Sequence, residues 1–408
     1  MMDRLNLLSS EVGNGFVGRK SDNRRSIIRF LSKAEEPITI PEIAMQIGVS
    51  IPIATKLIKE LVGEDLIRVE GKKISENGRR PKSYSLNRNR FYVVGVEILS
   101  KFIHVSVVGT DFETVCESYD RSFVLDYSET CLYFIGDFIK KTIEKSKVKK
   151  TNIIGVGVGM TSLGNFQDGG GVAYFQEAET SLDKYLTSLL ELPIHLDSDT
   201  RTISIAEQSL GLAKGVDNAI VVKVSRRLGL GIIIDKHVVQ GQNGFSGNFN
   251  HMQFGNGSRP CSCGKIGCLG TLIGGNALLK DLEEALTAGE QSYYFKKESL
   301  TTYKYHEVLD AILKGDELSI RLLQYQGNLL GQALGNIVNL LDPELVIIGG
   351  EFTMVKDFFI DAINIGMKKT ALVATVSKYS VKPSTLGRYL GSKAGACMVL
   401  KASEMIEY

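Results

Sequence analysis

His251-Met-Gln-Phe-Gly-Asn-Gly-Ser-Arg-Pro-Cys-Ser-Cys-Gly-Lys-Ile-Gly-Cys268 gathers three thiols and one imidazole into eighteen residues of a chain with six Cys and five His in all. Cys261 and Cys263 are one residue apart and Cys268 follows after four more, with Gly264 and Gly267 between them. Glycine at those places lets a short loop turn back on itself without Cβ clashes, so several side chains can reach one point. Three thiolates and an imidazole nitrogen, from His251, Cys261, Cys263 and Cys268, make the donor set of a closed tetrahedral zinc site. Four protein ligands leave no position for water, so the metal would be structural. The plainer reading is three buried free thiols beside an unrelated His. Clustering of Cys in a reducing compartment favours the metal.

Outward from this loop the chain is ordinary in bulk. Its 408 residues, 43% apolar and 23% charged, suit two or three domains of a soluble globular protein. No apolar run approaches the roughly 20 residues that a membrane span needs. Asp3, Arg4 and Glu11 interrupt any signal-peptide core. Cys116, Cys131 and Cys397 are scattered in apolar contexts, as buried thiols would be. A cytoplasmic protein with no membrane partner is expected. The net charge is only +2, yet residues 1–90 hold 17 Lys and Arg against 11 Asp and Glu. A basic front end on a slightly acidic body points to a polyanionic partner.

Within that front end, Ile27, Ile28 and Leu31 fall at helical spacing between Asn23 and Lys33, with residues 1–20 as an arm or frayed helix. Pro37 stops the helix, and Thr39 or Ile40 opens a second that buries Ile43, Ala44 and Ile47, with Pro41 in its first turn. Gly48-Val49-Ser50 supplies a turn, a packing residue and a cap for a third helix, about Ile51 to Val62. That helix buries Ala54, Leu57, Ile58 and Leu61 and leaves Thr55, Lys56 and Lys59 outward. Two helices joined by a short glycine turn are the helix-turn-helix pattern, whose second helix enters the major groove. Leu66 to Val69 and Ser83 to Leu86 then alternate as two strands around a loop with Lys72, Lys73, Arg79, Arg80 and Lys82. Such a wing contacts phosphates and can push an Arg into the minor groove. The expected contacts to double-stranded operator DNA are Ser50, Thr55, Lys56, Lys59, Arg79, Arg80 and Lys82. The competing reading is a solvated basic hairpin on a protein-interaction domain.

Near Phe91 the character changes. Tyr92–Ile98 and Phe102–Val108 read as a hairpin, Phe123–Leu125 as a third strand, Glu129–Glu144 as a helix, and Ile153–Val158 as a strand buried on both faces. Pro193–Leu196 continues as a strand and Ile203–Leu210 as a helix. The pattern then repeats, with Ala219–Val224 and Gly231–Ile234 as a hairpin. Helices follow near 274–288, 305–313 and 317–341, and Leu345–Ile348 is a strand. Hairpins alternating with helices, seen twice, predict two α/β lobes with a cleft between them.

These residues resemble the ROK family of repressors, uncharacterised reading frames and sugar kinases over about residues 90–405. Preceded by a winged helix, they are similar to its repressor branch. The most specific likeness is His251 with Cys261-Ser-Cys-Gly-Lys-Ile-Gly-Cys-Leu269, which matches the family's zinc signature. Asn339 to Gly350 is similar to the segment leading into the family's nucleotide-side glycines, and Leu196-Asp-Ser-Asp199 with Ala206-Glu207 to its sugar-site strand and helix. Gly391-Ser-Lys-Ala-Gly-Ala-Cys397 is similar to its last helix, and Gly78-Arg79-Arg80-Pro81 is common in the repressor branch. The resemblance implies an actin-like (ribonuclease-H-like) two-lobed α/β body behind an N-terminal winged helix-turn-helix. The expected division is 1–89 for the winged helix, 90–197 plus 388–408 for the first lobe, and 198–387 for the second lobe with the zinc loop. It also implies effector-binding roles for Ser198, Asp199, Asn248 and His251, the last holding the metal as well.

The departures from the family bear on catalysis. Kinase members carry Asp-x-Gly-x-Thr on the first hairpin; here the residues are Glu97-Ile98-Leu99-Ser100-Lys101. Their second phosphate loop is glycine-rich; here it reads Ser225-Arg226-Arg227-Leu228-Gly229-Leu230-Gly231. Branched and charged side chains stand where backbone amides would cradle phosphate. Asp199 matches the family's catalytic aspartate, but Asn248 and Gly270 replace two sugar-gripping glutamates, Asn250 replaces a glycine, and Ser198 an asparagine. For Asp199 the alternative role is a strand-end cap. The resulting expectation is a non-catalytic, sugar-responsive repressor, a homodimer or homotetramer on operator DNA, with zinc as its cofactor. Its rivals are an ATP-dependent sugar kinase with an added DNA-binding module, and a body that docks a transport or signalling protein.

Overall fold

The computed structural model describes residues 16–72, 82–161, 174–175, 177–254, 258–373, 379–387 and 390–405. The chain divides into two compact units, Met1–Thr202 with Gly391–Tyr408, and Ile203–Leu390.

The first unit opens with α1 (Phe16–Lys33), a two-residue strand β1 (Ile38–Thr39), α2 (Ile40–Ile47) and α3 (Ile51–Gly63), then β2 (Ile67–Lys72) and β3 (Lys82–Leu86). The three strands form a sheet in the order β1-β3-β2, and α3 buries Ala54, Leu57, Ile58 and Leu61 as their spacing predicts. This is a winged helix. Glu42 fixes the start of α2 by accepting from the amide of Thr39 at 2.7 Å and from its hydroxyl at 2.6 Å. Gly48, left-handed at φ 68°, ends it. Helix α1 begins at Phe16, seven residues earlier than its apolar spacing suggests, and it carries ion pairs to α3. Lys20 reaches Glu60 at 2.9 Å and Arg24 reaches Glu64 at 2.6 Å, both on α3.

The winged helix shares one apolar core with the sheet that follows. Ile27, Ile28, Leu31 and Leu57 pack in the same cluster as Val93, Val108, Ile154, Val399 and Met405. Ser32 donates its hydroxyl to the Met405 carbonyl at 3.0 Å and Arg29 pairs with Glu404 at 3.1 Å. That sheet holds β4 (Tyr92–Leu99), β5 (Phe102–Gly109), β6 (Thr114–Asp120), β7 (Ile153–Met160) and β10 (Ile194–Ser198). Between them run α4 (Glu129–Ser146), the short pair β8 (Tyr174–Phe175) and β9 (Thr180–Ser181), and α5 (Leu182–Leu190). Its order is β10-β7-β4-β5-β6, with β4, β5 and β6 antiparallel and β7 and β10 parallel to β4. The third strand is β6, not Phe123–Leu125. As an exposed edge strand it carries polar residues that hid it, while Phe123 is buried in a connection without strand pairing.

Helix α6 (Asp199–Leu210) leads on to β11 (Ala219–Val224), β12 (Leu228–Ile234) and β13 (His237–Val238). The second unit then adds α7 (Gly275–Thr287), α8 (Tyr305–Leu313), α9 (Glu317–Leu341), β14 (Leu345–Gly349), α10 (Lys356–Thr370) and β15 (Ser380–Pro383), and α11 (Leu390–Ala402) closes the chain. The second sheet runs β13-β12-β11-β14-β15, the same hairpin-plus-parallel order as the first. Two sheets with this connectivity are the mark of the actin-like, ribonuclease-H-like body. Helices α9 and α10 pack backbone to backbone. A Cβ on Gly331 would lie 2.0 Å from the Ile363 carbonyl oxygen, and one on Gly366 would lie 2.1 Å from that of Asn328.

Candidate metal loop, effector residues and DNA-binding face

The four residues of the opening stretch converge. The ligand atoms of His251, Cys261, Cys263 and Cys268 lie within 4.8 Å of one another. Cys268 is fully buried, and its strand-like bridge to Gln253, with a second bridge between Pro260 and Ile266, folds the stretch into a narrow ribbon. Gly264 and Gly267, at φ 84° and 82°, make the bends that bring the thiols round. The Cys263 and Cys268 sulfurs are 3.6 Å apart, and the Cys261 sulfur is 3.5 Å from His251 Nδ1. The edges of a zinc tetrahedron built on Zn–S of about 2.3 Å and Zn–N of about 2.0 Å are roughly 3.8 and 3.5 Å. The donor set therefore fits a tetrahedral metal. Burial and the two neighbouring thiols push Cys268 up to about 12, whereas the Lys265 amide holds Cys263 below the usual thiol range. A central cation would favour the thiolate form of Cys268 against that burial. Burial, helped by Arg227 and Lys265, lowers the His251 pKa and keeps the imidazole neutral, as a ligand must be.

Arg259 ties this ribbon to the helices beneath it. Its guanidinium reaches Asp281 at 2.7 Å and Glu284 at 2.6 Å on α7, and Gln326 on α9 donates to Asp281 at 2.6 Å. No sequence pattern marks Arg259, since its acidic partners lie more than twenty residues away.

The expected effector residues fall in both units. Ser198 ends β10, and its hydroxyl accepts the Arg201 amide at 3.2 Å, so it also caps α6. Asp199 starts α6, where the helix dipole favours a carboxylate. It accepts from Thr161 at 3.1 Å and from Thr200 at 3.3 Å. Thr161 was not foreseen, because it stands alone after β7. Asn248 and His251 flank a short turn in the second unit, where the Asn248 carbonyl accepts the His251 amide at 3.0 Å. His251 Nε2 is buried with no hydrogen-bond partner. The two family departures at 250 and 270 compensate one another. A Cβ on Gly270 would sit 3.0 Å from the Asn250 Cβ, so Asn250 fills the space that a side chain at 270 would need. Nearby in sequence to the first pair, Glu207 on α6 is fully buried, accepting from the Ser384 hydroxyl and from the Leu212 amide at 3.0 Å. Burial pushes its carboxyl above the ordinary range.

The turn that corresponds to the second phosphate loop is closed by its own chain. The Ser225 and Arg226 carbonyls accept the Gly275 and Asn276 amides at 2.8 and 3.1 Å. Those amides start α7. Arg226 donates to the Asn276 side chain at 3.2 Å and lies over the Tyr305 ring at 5.6 Å.

On the winged helix, Lys56 and Lys59 are exposed along α3, Lys82 is exposed at the start of β3, and Thr55 is half-buried. Ser50 occupies the N-cap position, but its hydroxyl makes no capping bond. Arg79 and Arg80 lie outside the described residues. Some of the basic side chains of the front end are engaged in ion pairs, which leaves its net basic excess nearly intact. Lys20, Arg24, Arg29 and Arg90 are paired with Glu60, Glu64, Glu404 and Asp65.

A winged helix joined to an actin-like body with a Cys₃His loop defines the class. The chain belongs to the ROK family, whose sequence model matches residues 93–402. Among its relatives, the xylose repressor of Caldicellulosiruptor bescii is 23% identical across 87% of this chain and 89% of that repressor. The DNA-binding transcriptional dual regulator NagC of Escherichia coli K12 is 25% identical across 86% of each. A ROK family transcriptional regulator homologous to the E. coli MLC protein superposes with a TM-score of 0.75 at 20% identity, over 95% of this chain and 97% of that one. A ROK glucokinase from Streptomyces griseus superposes with a TM-score of 0.64 at 19% identity, over 98% of its own length but only 75% of this chain. Among the described residues, no helix is long and apolar enough to cross a membrane.

Proposed function

We propose that this protein is a sugar-responsive transcriptional repressor whose winged helix binds operator DNA and whose body senses an effector without catalysis. The observation that carries the reading is the extent of the likeness. Repressors align with the winged helix and the body together, whereas the kinase accounts for the body's share alone. Ser50, Thr55, Lys56, Lys59, Arg79, Arg80 and Lys82 would meet the duplex, with the lysines and arginines on phosphates. Ser198, Asp199, Asn248 and His251 would meet a sugar or sugar derivative, the unpartnered Nε2 of His251 facing a hydroxyl. Zinc would be held by His251, Cys261, Cys263 and Cys268 as a structural ion. The body would pair two or four copies so that two winged helices meet a pseudo-palindromic site.

The rival is an ATP-dependent sugar kinase. Kinase chemistry needs amides and cations around the transferred phosphoryl group. Here Leu99 replaces a glycine of the first turn, and Arg226, Arg227 and Leu228 stand where the second turn would be glycine-rich. One experiment separates the two. The purified chain is screened by thermal shift against sugars and sugar phosphates, and hits are added to a DNA-binding assay and to an ATP-coupled assay. A stabilising sugar that releases DNA, with no ATP turnover, is the expected result. Turnover at the 1–100 s⁻¹ of ordinary kinases would replace this reading with the rival.

A further inference from the structure

The first turn of α3 is apolar and exposed. Ile51 is 53% exposed and Ile53 48%, with Pro52 exposed between them, and Met45 on the preceding helix is 79% exposed. Isoleucine and methionine at such exposure contribute nothing to the core, to which α3 gives Ala54, Leu57, Ile58 and Leu61. In a helix-turn-helix the residues that reach base edges come from the N-terminal part of the second helix. From Ile51 to Thr55 there is no Arg, Lys, Asn, Gln, Asp or Glu, the side chains best suited to read guanine, adenine or cytosine by hydrogen bonds. Thr55 cannot supply a free donor, because its hydroxyl donates to the Ile51 carbonyl at 2.7 Å. Lys56 and Lys59 on the same helix are exposed and bring the positive charge that holds this turn against a duplex.

We infer that this turn reads thymine by its C5-methyl group in the major groove, with Ile51 and Ile53 as the specificity-determining residues and Met45 beside them. The occupant is double-stranded DNA, so the inference rests on the DNA-binding reading above. Thymine alone among the four bases presents a methyl in that groove. An apolar turn buries that methyl, and leaves a guanine or adenine edge without hydrogen-bond partners. Each half-site would therefore carry one or two thymines whose methyls matter more than their hydrogen-bonding edges.

The test uses the full chain. Duplexes are selected from a randomised library, then remade with deoxyuridine in place of single thymidines, which removes the methyl and nothing else. At one or two positions per half-site the affinity should fall roughly 3- to 5-fold, the worth of burying one methyl-sized group. Ile51→Ala and Ile53→Ala, both at exposed positions, should bind the thymine duplex more weakly and lose the difference between thymine and uracil at one position each. Unchanged metal content and melting would show that both variants fold. Uracil duplexes that bind as well as thymine ones would overturn the inference while leaving DNA binding intact. So would isoleucine variants that keep the full methyl dependence. Failure of the library to yield any enriched duplex would remove the DNA-binding reading and this inference together.

Discussion

Glu207 shows what a single residue contributes. Nothing in its sequence context marks it as buried, since Ala206-Glu207-Gln208 reads like an ordinary helix surface. The side chain is enclosed all the same, with Ser384 and the Leu212 amide as its hydrogen-bond donors. Its carboxyl is raised in the folded state, so the protonated form adds stability that is present below the unfolded value and lost as pH rises through the folded one. Glu207→Gln keeps an acceptor for Leu212, and the Ser384 hydroxyl can reverse to accept from the new amide. The variant should melt above the wild type near pH 8, with the gap closing towards about pH 4, where an unperturbed Glu protonates. Calorimetry across that range checks it. The lysines of α3 act at the same scale. Lys59→Ala should reduce the slope of log affinity against log salt by about 0.9, one phosphate contact, with little change in base preference.

Among the elements, the convergence of His251, Cys261, Cys263 and Cys268 was legible because the four lie close in sequence and the bends between them need glycine. Cys261→Ser should lower bound zinc well below one ion per chain, depress the melting midpoint, and abolish operator binding with it. A metal-free variant that still binds the operator would break the link between the loop and the winged helix. Helices α8 and α9 were readable to the residue from their periodicity. Helix α10 was not, although Phe359, Ala362, Ile363 and Met367 keep helical spacing, because Gly366 within that stripe is explained only by α9 pressed against it. Gly331→Leu should cost roughly 1–3 kcal/mol or more by overpacking, seen as a lower melting midpoint with metal content unchanged. The edge strand β6 also escaped reading, since half of its residues answer to solvent rather than to a core.

At the scale of the whole molecule, two α/β lobes were visible as a hairpin-and-helix pattern repeated in sequence, and the two sheets share one strand order. What the pattern could not reveal is that the winged helix has no core of its own. Ile27, Ile28 and Leu57 share theirs with Val93, Val108, Ile154 and Met405, contacts that span almost the length of the chain. Met405 is 2% exposed, and Met405→Ala should cost about 2–5 kcal/mol. The loss should be felt at both ends of that core. Hydrogen exchange would then report weaker protection at Leu57 and at Val108 alike, with Val338 in the other unit unaffected.

The close approach of residues 250 and 270 also makes the two positions one unit under substitution. A side chain at 270 would bring its Cβ to 3.0 Å from the Asn250 Cβ and 3.2 Å from the Asn250 carbonyl oxygen, so residue 250 must shift to admit it. A change at either position is therefore felt at the other, and their effects on melting should not add.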